Sequence, residues 1–199
     1  GAPEFIMGDR YDSIRSEAEP WSERGCRVLL LAAYDTAFDD GPLQSAHVAP
    51  IALVFLSNLL RPDAQETFRY FASQGVSVRV ISGDNPITVA QVAARAGIEN
   101  ADRYVDAMTL STEQDFEEAV KYYTVFGRVT PEQKRYLVRA FQKQGHTVAM
   151  TGDGVNDVLA LKDANCGIAM ASGSQAASQV AQIVLLNSQF SAMPAIVAD

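Results

Sequence analysis

The stretch "TGDGVNDVLALKDAN", Thr151–Asn165, carries three carboxylates and two glycines and runs directly into a helical pattern. An apolar, strand-like "TVAM" (Thr147–Met150) precedes it, and "NDVLALKDA" (Asn156–Ala164) reads as the helix. A helix start after a glycine loop attracts anions, because its first backbone N–H groups are unpaired and its dipole is positive there. Acids in that loop would repel a phosphate unless a cation sat between them. Asp153 and Asp157 lie four residues apart across the junction, close enough to serve one hard cation. Mg²⁺ suits that role, since it takes one or two carboxylates and leaves its other positions to water and substrate phosphate. The stretch therefore reads as a metal-plus-phosphate site at the end of a buried strand.

Working outward, strands and helices alternate. "VSVRVI" (Val76–Ile81), "TVFG" (Thr124–Gly127), "CGIAM" (Cys166–Met170) and "IVLL" (Ile183–Leu186) read as strands. "PDAQETFRYFASQG" (Pro62–Gly75), "NPITVAQVAARAG" (Asn85–Gly97), "EQDFEEAVKYY", "PEQKRYLVRAFQKQG" (Pro131–Gly145) and "SQAASQVA" read as helices, with a last helical stretch from Phe190. Asn85 and Thr130 are cap residues, Pro stands at first helical positions, and glycines close the helices. Such alternation predicts an α/β fold, a parallel sheet with helices on both faces. The N-terminal quarter has a different grammar. A polar helix-compatible segment, Asp9–Glu23, is interrupted by Pro20; two apolar strands, Cys26–Asp35 and Val48–Leu56, flank a turn at Asp39–Gln44 and are expected to pair antiparallel. A boundary falls near Asn58. Residues 1–8, beginning "GAPEFIM", look like a cloning scar ahead of a start at Met7 and are set aside.

Composition narrows the function. With 199 residues, 48% hydrophobic and 20% charged, the chain is ordinary for a globular protein. Its net charge of −8 excludes generic nucleic-acid binding, which needs a basic surface. Cys26 and Cys166 have no metal-ligand spacing and read as reduced, buried thiols. No run approaches the roughly 18 apolar residues of a membrane span, so the chain as given is expected to be soluble.

In an open parallel sheet, ligands bind beyond the carboxyl ends of the strands. After Val76–Ile81 comes "SGD", Ser82–Asp84; after Thr124–Gly127 comes "RVTPEQK", Arg128–Lys134. Ser82 and the Gly83 amide can donate to phosphate oxygens, and Lys134 can bring a positive charge to them. Rival motifs fail: Asp157 stands where a dinucleotide fingerprint wants a glycine, no GxxxxGK[ST] occurs, and the acid spacing is not that of an EF-hand. His47 and His146 read as plain surface or cap residues.

"ISGDNPITVAQVAARAGI", "VFGRVTPEQK" and "MTGDGVNDVLALKDANCGIAMASGS" resemble motif blocks of the P-type cation-transporting ATPases, a branch of the haloacid-dehalogenase-like superfamily, over about Arg10–Asp199. The resemblance implies a three-layer Rossmann-like fold with residues 9–57 as the end of a nucleotide-binding domain and 58–199 as the phosphorylation domain. It implies Mg²⁺ as cofactor and ATP as substrate. Asp153 would hold the metal, with Asn156 and Asp157 completing the shell. Ser82, Gly83 and Arg128 would bind the phosphoryl group, which Lys134 neutralises. Asp84, Arg27 and Arg61 would serve the nucleotide. The family's acceptor aspartate sits in a D-K-T-G-T motif, and no DKTG occurs in this sequence. Ser82 replaces the commoner Thr, Asn58 stands where the hinge usually has Asp, and Gln182 where an acid often precedes the last strand. The chain thus resembles a fragment of a pump that works at the cytoplasmic face of the cell membrane, whose partners would be its own actuator domain and membrane helices. The first, central strand of the sheet would be missing. The sheet is expected to close over that gap, or to have it filled by Val48–Leu56 or by self-association with a second chain. A free-standing phosphatase of the same superfamily is the alternative, and a regulatory nucleotide-binding protein a weaker third.

Overall fold

The computed structural model describes residues 1–35, 44–57 and 59–198. The turn expected at Asp39–Gln44, apart from Gln44 itself, and the hinge residue Asn58 lie outside them. The chain forms two compact units, Gly1–Leu59 and Leu60–Asp199.

In the first unit, β1 (Cys26–Tyr34) and β2 (Val48–Ser57) pair antiparallel, with a bulge at Leu31/Ala32. Helices α1 (Pro3–Met7) and α2 (Asp12–Glu23) accompany them. Buried Met7, Leu30 and Val48 form the core, with Ile6, Tyr11, Ile14 and Leu53 packed around them. The first residues, set aside in the sequence reading, are therefore part of this fold: Met7 is wholly buried and the Gly1 carbonyl accepts from the Leu30 N–H. Pro20 does not break α2, which continues to Glu23. The proline falls near the helix end, where few later turns depend on it.

The second unit holds two three-stranded parallel sheets. The first has the order β3 (Val80–Ile81), β5 (Val125–Gly127), β4 (Tyr104–Asp106); the second is β6 (Ala149–Gly152), β7 (Cys166–Met170), β8 (Ile183–Leu185). Strand alternation sends neighbouring side chains to opposite layers. On β5, Val125 meets α4 (Pro86–Arg95), while Phe126 enters the core built by α5 (Glu113–Tyr122) and α6 (Pro131–Lys143). On β7, Ala169 joins the core of α7 (Val158–Asp163) and α8 (Gln175–Val180), while Ile168 packs with Phe71 of α3 (Ala64–Ser73) and Met193 of α9 (Met193–Ala198). Helices thus cover both faces, as the alternation predicts.

The two sheets share helices rather than strands. On α6, Leu137 and Phe141 pack on the first sheet's core and Val138 on the second's. On the opposite face, Val78, just ahead of β3, packs in the cluster of Phe71 and Ile168. Strands β3 and β6 pair with each other nowhere among the described residues, and Val48–Ser57 pairs with β1. The expectation that the sheet closes over its missing strand, or takes Val48–Leu56 into it, is corrected by this arrangement.

Two strand limits also move. β3 keeps only the last two of the six expected residues, because three-residue β5 offers no longer ladder. β6 begins at Ala149 rather than Thr147, since the Val148 N–H goes to the Asn165 side chain at 2.9 Å instead of to the ladder. β4 is a strand that the sequence reading missed; with three residues it is too short to show an alternation. No helix among the described residues is long and apolar enough to cross a membrane.

Candidate phosphoryl and metal site

The shift of β6 makes Thr151 and Gly152 strand residues and Asp153 the first loop residue beyond the carboxyl end. A short 3₁₀ turn, Val155–Asp157, then leads into α7. Asp157 is buried, and both its oxygens are engaged. Oδ1 lies 2.6 Å from Lys134 Nζ and Oδ2 accepts from the Gly154 N–H at 3.0 Å. Gly152 makes room for this: a Cβ there would stand 2.6 Å from the Asp157 Cβ. Gly173 does the same for Asp153, whose carbonyl oxygen would be 2.4 Å from an added Cβ and which accepts from the Ser174 N–H at 2.6 Å. The segment after β7 therefore presses the Asp153 backbone into place and leaves its side chain exposed.

Lys134 reaches Asp157 because α6 starts where it does. Thr130 and Gln133 form a reciprocal capping box, Pro131 takes the first helical position, and Lys134 follows in the first turn. Its side chain is only 14% exposed. An ammonium has three N–H donors, so two remain for an incoming oxyanion after Asp157 takes one.

A second group is stitched from the loops after β3, β4 and β5. The Ser82 hydroxyl accepts from the Asp84 N–H at 3.1 Å, and the carbonyls of Asp84 and Ser82 accept from the N–H groups of Arg128 and Val129. Arg128 sits in the left-handed region with φ 52°, and its guanidinium pairs with Asp106 at 2.5 Å. Gly83 is exposed at the tip.

The sequence candidates therefore fall into three sets. Lys134, Asp157 and the backbone of Asp153 form one connected site, with exposed Asn156 on its turn. Ser82, Gly83, Asp84 and Arg128 form the neighbouring loop group on the first sheet. Arg61 donates to the Ser188 carbonyl at 3.3 Å, and Arg27 is an exposed residue of β1 in the other unit. Sequence reasoning missed Asp106 and the Gly173–Ser174 segment. Neither carries a local signal; each acts only through a partner distant in the chain.

The donor set can be tested against Mg²⁺. No three His, Cys, Asp or Glu side chains converge among the described residues, so a multi-carboxylate cage is not built here. Asp157 accepts one hydrogen bond at each oxygen, from Lys134 and from Gly154, and an ionised carboxylate keeps further lone pairs for a cation. The exposed Asp153 carboxylate offers one hard oxygen ligand on the loop that follows β6. That fits an ion held mainly by water and substrate phosphate.

The haloacid dehalogenase-like hydrolase family model matches residues 8–165, and the chain belongs to that family. Its curated relatives are ion pumps by name. The calcium-transporting ATPase CtpE of Mycobacterium bovis is 50% identical over all of this chain, and the probable cation-transporting ATPase exp7 of Streptococcus pneumoniae is 42% identical over 98% of it. In both cases the chain spans 25% of the relative's length. Among solved structures, the catalytic domain of the CPx-ATPase CopB-B superposes with a TM-score of 0.58 at 20% identity, covering 78% of this chain and 52% of that one. That likeness bears on the fold alone, α/β with parallel sheets.

Proposed function

We propose that this chain is the catalytic segment of a P-type cation-transporting ATPase, in which ATP hydrolysis through an aspartyl-phosphate drives cation transport at the cytoplasmic face of a membrane. The observation that carries the reading is the Lys134–Asp157 pair beside the exposed Asp153, at the carboxyl end of β6. In this reading residues 9–57 contribute the end of the nucleotide-binding domain, and residues 58–199 the phosphorylation domain. The rest of the pump, actuator domain and membrane helices included, is the partner.

Phosphoryl transfer is mostly positioning and charge neutralisation. Lys134 holds its ammonium toward the transferred group, with Asp157 fixing its direction. Ser82 and the Gly83 amide bind phosphoryl oxygens from the first sheet. Arg128, anchored on Asp106, holds the loops of β3 and β5 together. Asp153 would hold Mg²⁺, with Asn156 alongside it; when bound, the ion supplies further positive charge against the phosphate. Asp84, Arg27 and Arg61 would serve the nucleotide. The acceptor aspartate would come from a strand outside this sequence. Among the described residues β3 and β6 are each paired on one side only, which leaves an edge for a further strand and supports that reading.

The test is phosphate release from acetyl phosphate and p-nitrophenyl phosphate with Mg²⁺, beside an Asp153→Asn control purified identically. The pump-segment reading expects no activity above the control. Activity that the substitution abolishes would instead make another carboxylate, such as Asp84, the nucleophile, and the chain a free-standing phosphatase.

A further inference from the structure

Helix α6 presents more to α7 than Lys134. At 100° per residue, Lys134, Val138, Gln142, Arg135 and Arg139 fall within one arc of about 140°. Every polar member of that stripe is bonded to the α7 segment. Lys134 holds Asp157, the residue just before α7. Arg135 Nε and Arg139 Nε both donate to Asp163 Oδ2 at 2.7 Å, at the other end of α7. Gln142 donates to the Asp163 carbonyl at 2.8 Å and to Asn165 Oδ1 at 3.2 Å. The six-residue helix is thus tied to α6 at both termini, the two helices running in the same direction.

We propose that Asp163, gripped by Arg135 and Arg139, is a positioning residue that sets the axial register of α7 on α6 and so holds Lys134 against Asp157. The rise along each helix supports this. From Lys134 to Arg139 α6 climbs about 7.5 Å, and from Asp157 to Asp163 the partner segment climbs about 9 Å, so the two attachments are similarly spaced on both, with Arg135 reaching the same Asp163 oxygen from one turn earlier. Apolar packing alone, through Val138 on Ala160 and Leu161, resists separation better than sliding, because it has no direction. The Asp163 side chain is 19% exposed and bonded by two guanidinium groups, unlike the carboxylate of the more solvated pair Lys121–Glu118. Burial pushes its carboxyl up, but the hydrogen bonds from Arg135 and Arg139 outweigh that and leave it below the ordinary aspartate range.

That the held pair serves phosphoryl binding rests on the function proposed above; the clamp does not. The experiment reads the two apart. Lysine acetylation of the folded chain, followed by mass spectrometry, compares Lys134 with the more exposed Lys121 and Lys143 as internal controls. Asp163→Ala is expected to raise the Lys134 rate about fivefold by freeing its end of α7, with Lys121 and Lys143 unchanged. Asp163→Glu, which keeps a carboxylate in reach, should return most of the protection. If Asp163→Ala does not stay folded, Asp163→Asn, which keeps the size of the side chain and removes the charge both arginines hold, is read the same way. A Lys134 rate equal to the unsubstituted chain in a folded variant overturns the clamp. Protection of Lys134 by Mg²⁺ with inorganic phosphate in the unsubstituted chain is scored separately, and its absence would count against the proposed function alone.

Discussion

Asp157 shows how one residue can be fixed by its neighbours' lack of side chains. Its buried carboxylate fits because residue 152 is glycine, and its two oxygens are satisfied by one ammonium and one backbone N–H. A methyl group at 152 would push directly into the Asp157 Cβ and Cγ. Gly152→Ala is therefore expected to cost about 1–3 kcal/mol, as overpacking does, and to displace Asp157 from Lys134. Urea denaturation measures the first effect and Lys134 acetylation the second; an unchanged midpoint with unchanged labelling would refute both. The two glycines of the "TGDGVND" stretch are visible in sequence, but which side chain each one admits is not.

At the scale of elements, α6 and α7 act as a pair, and their attachment should respond to acid. Asp163 has a folded-state pKa below its ordinary value. Its contribution is thus complete above the unfolded aspartate value of about 3.9 and is lost as pH falls through the folded one. The melting temperature of the unsubstituted chain should exceed that of Asp163→Asn by a constant margin from neutrality down to about pH 4, then by a shrinking margin below it. A margin that grows in acid would contradict the assignment. The helices themselves were plain in the sequence: Thr130 caps α6 with Pro131 at its first position, and Asn85 caps α4, where the sequence places them. The strand limits were not, since β3 and β6 are bounded by what their single partner or a side chain such as Asn165 leaves available.

For the whole molecule, the two compact units differ in the core each one owns. Among the described residues, the first has Met7, Leu30 and Val48 as its buried cluster, whereas the second has four clusters around its two sheets. A domain of about 60 residues is marginal when its core is this small. Calorimetry should show two transitions, with the lower one belonging to Gly1–Leu59; Met7→Ala should lower that transition and leave the upper one in place. A single transition shifted by the same substitution would show that the units melt together.

The sequence by itself determined the class of fold and which residues stand in the loops beyond the strands. Alternating strand and helix patterns, caps and closing glycines are local signals, and the hydroxyl, lysine and carboxylates of the site are named by their own motifs. Only the tertiary structure decided that the parallel strands form two sheets, that Met7 belongs to a core, that Asp157 pairs with Lys134, and that Asp163 answers to Arg135 and Arg139. The reason is physical. Local propensity reads a residue against its near neighbours, whereas strand pairing, burial and charge partners depend on contacts between segments that the chain brings together only when it folds.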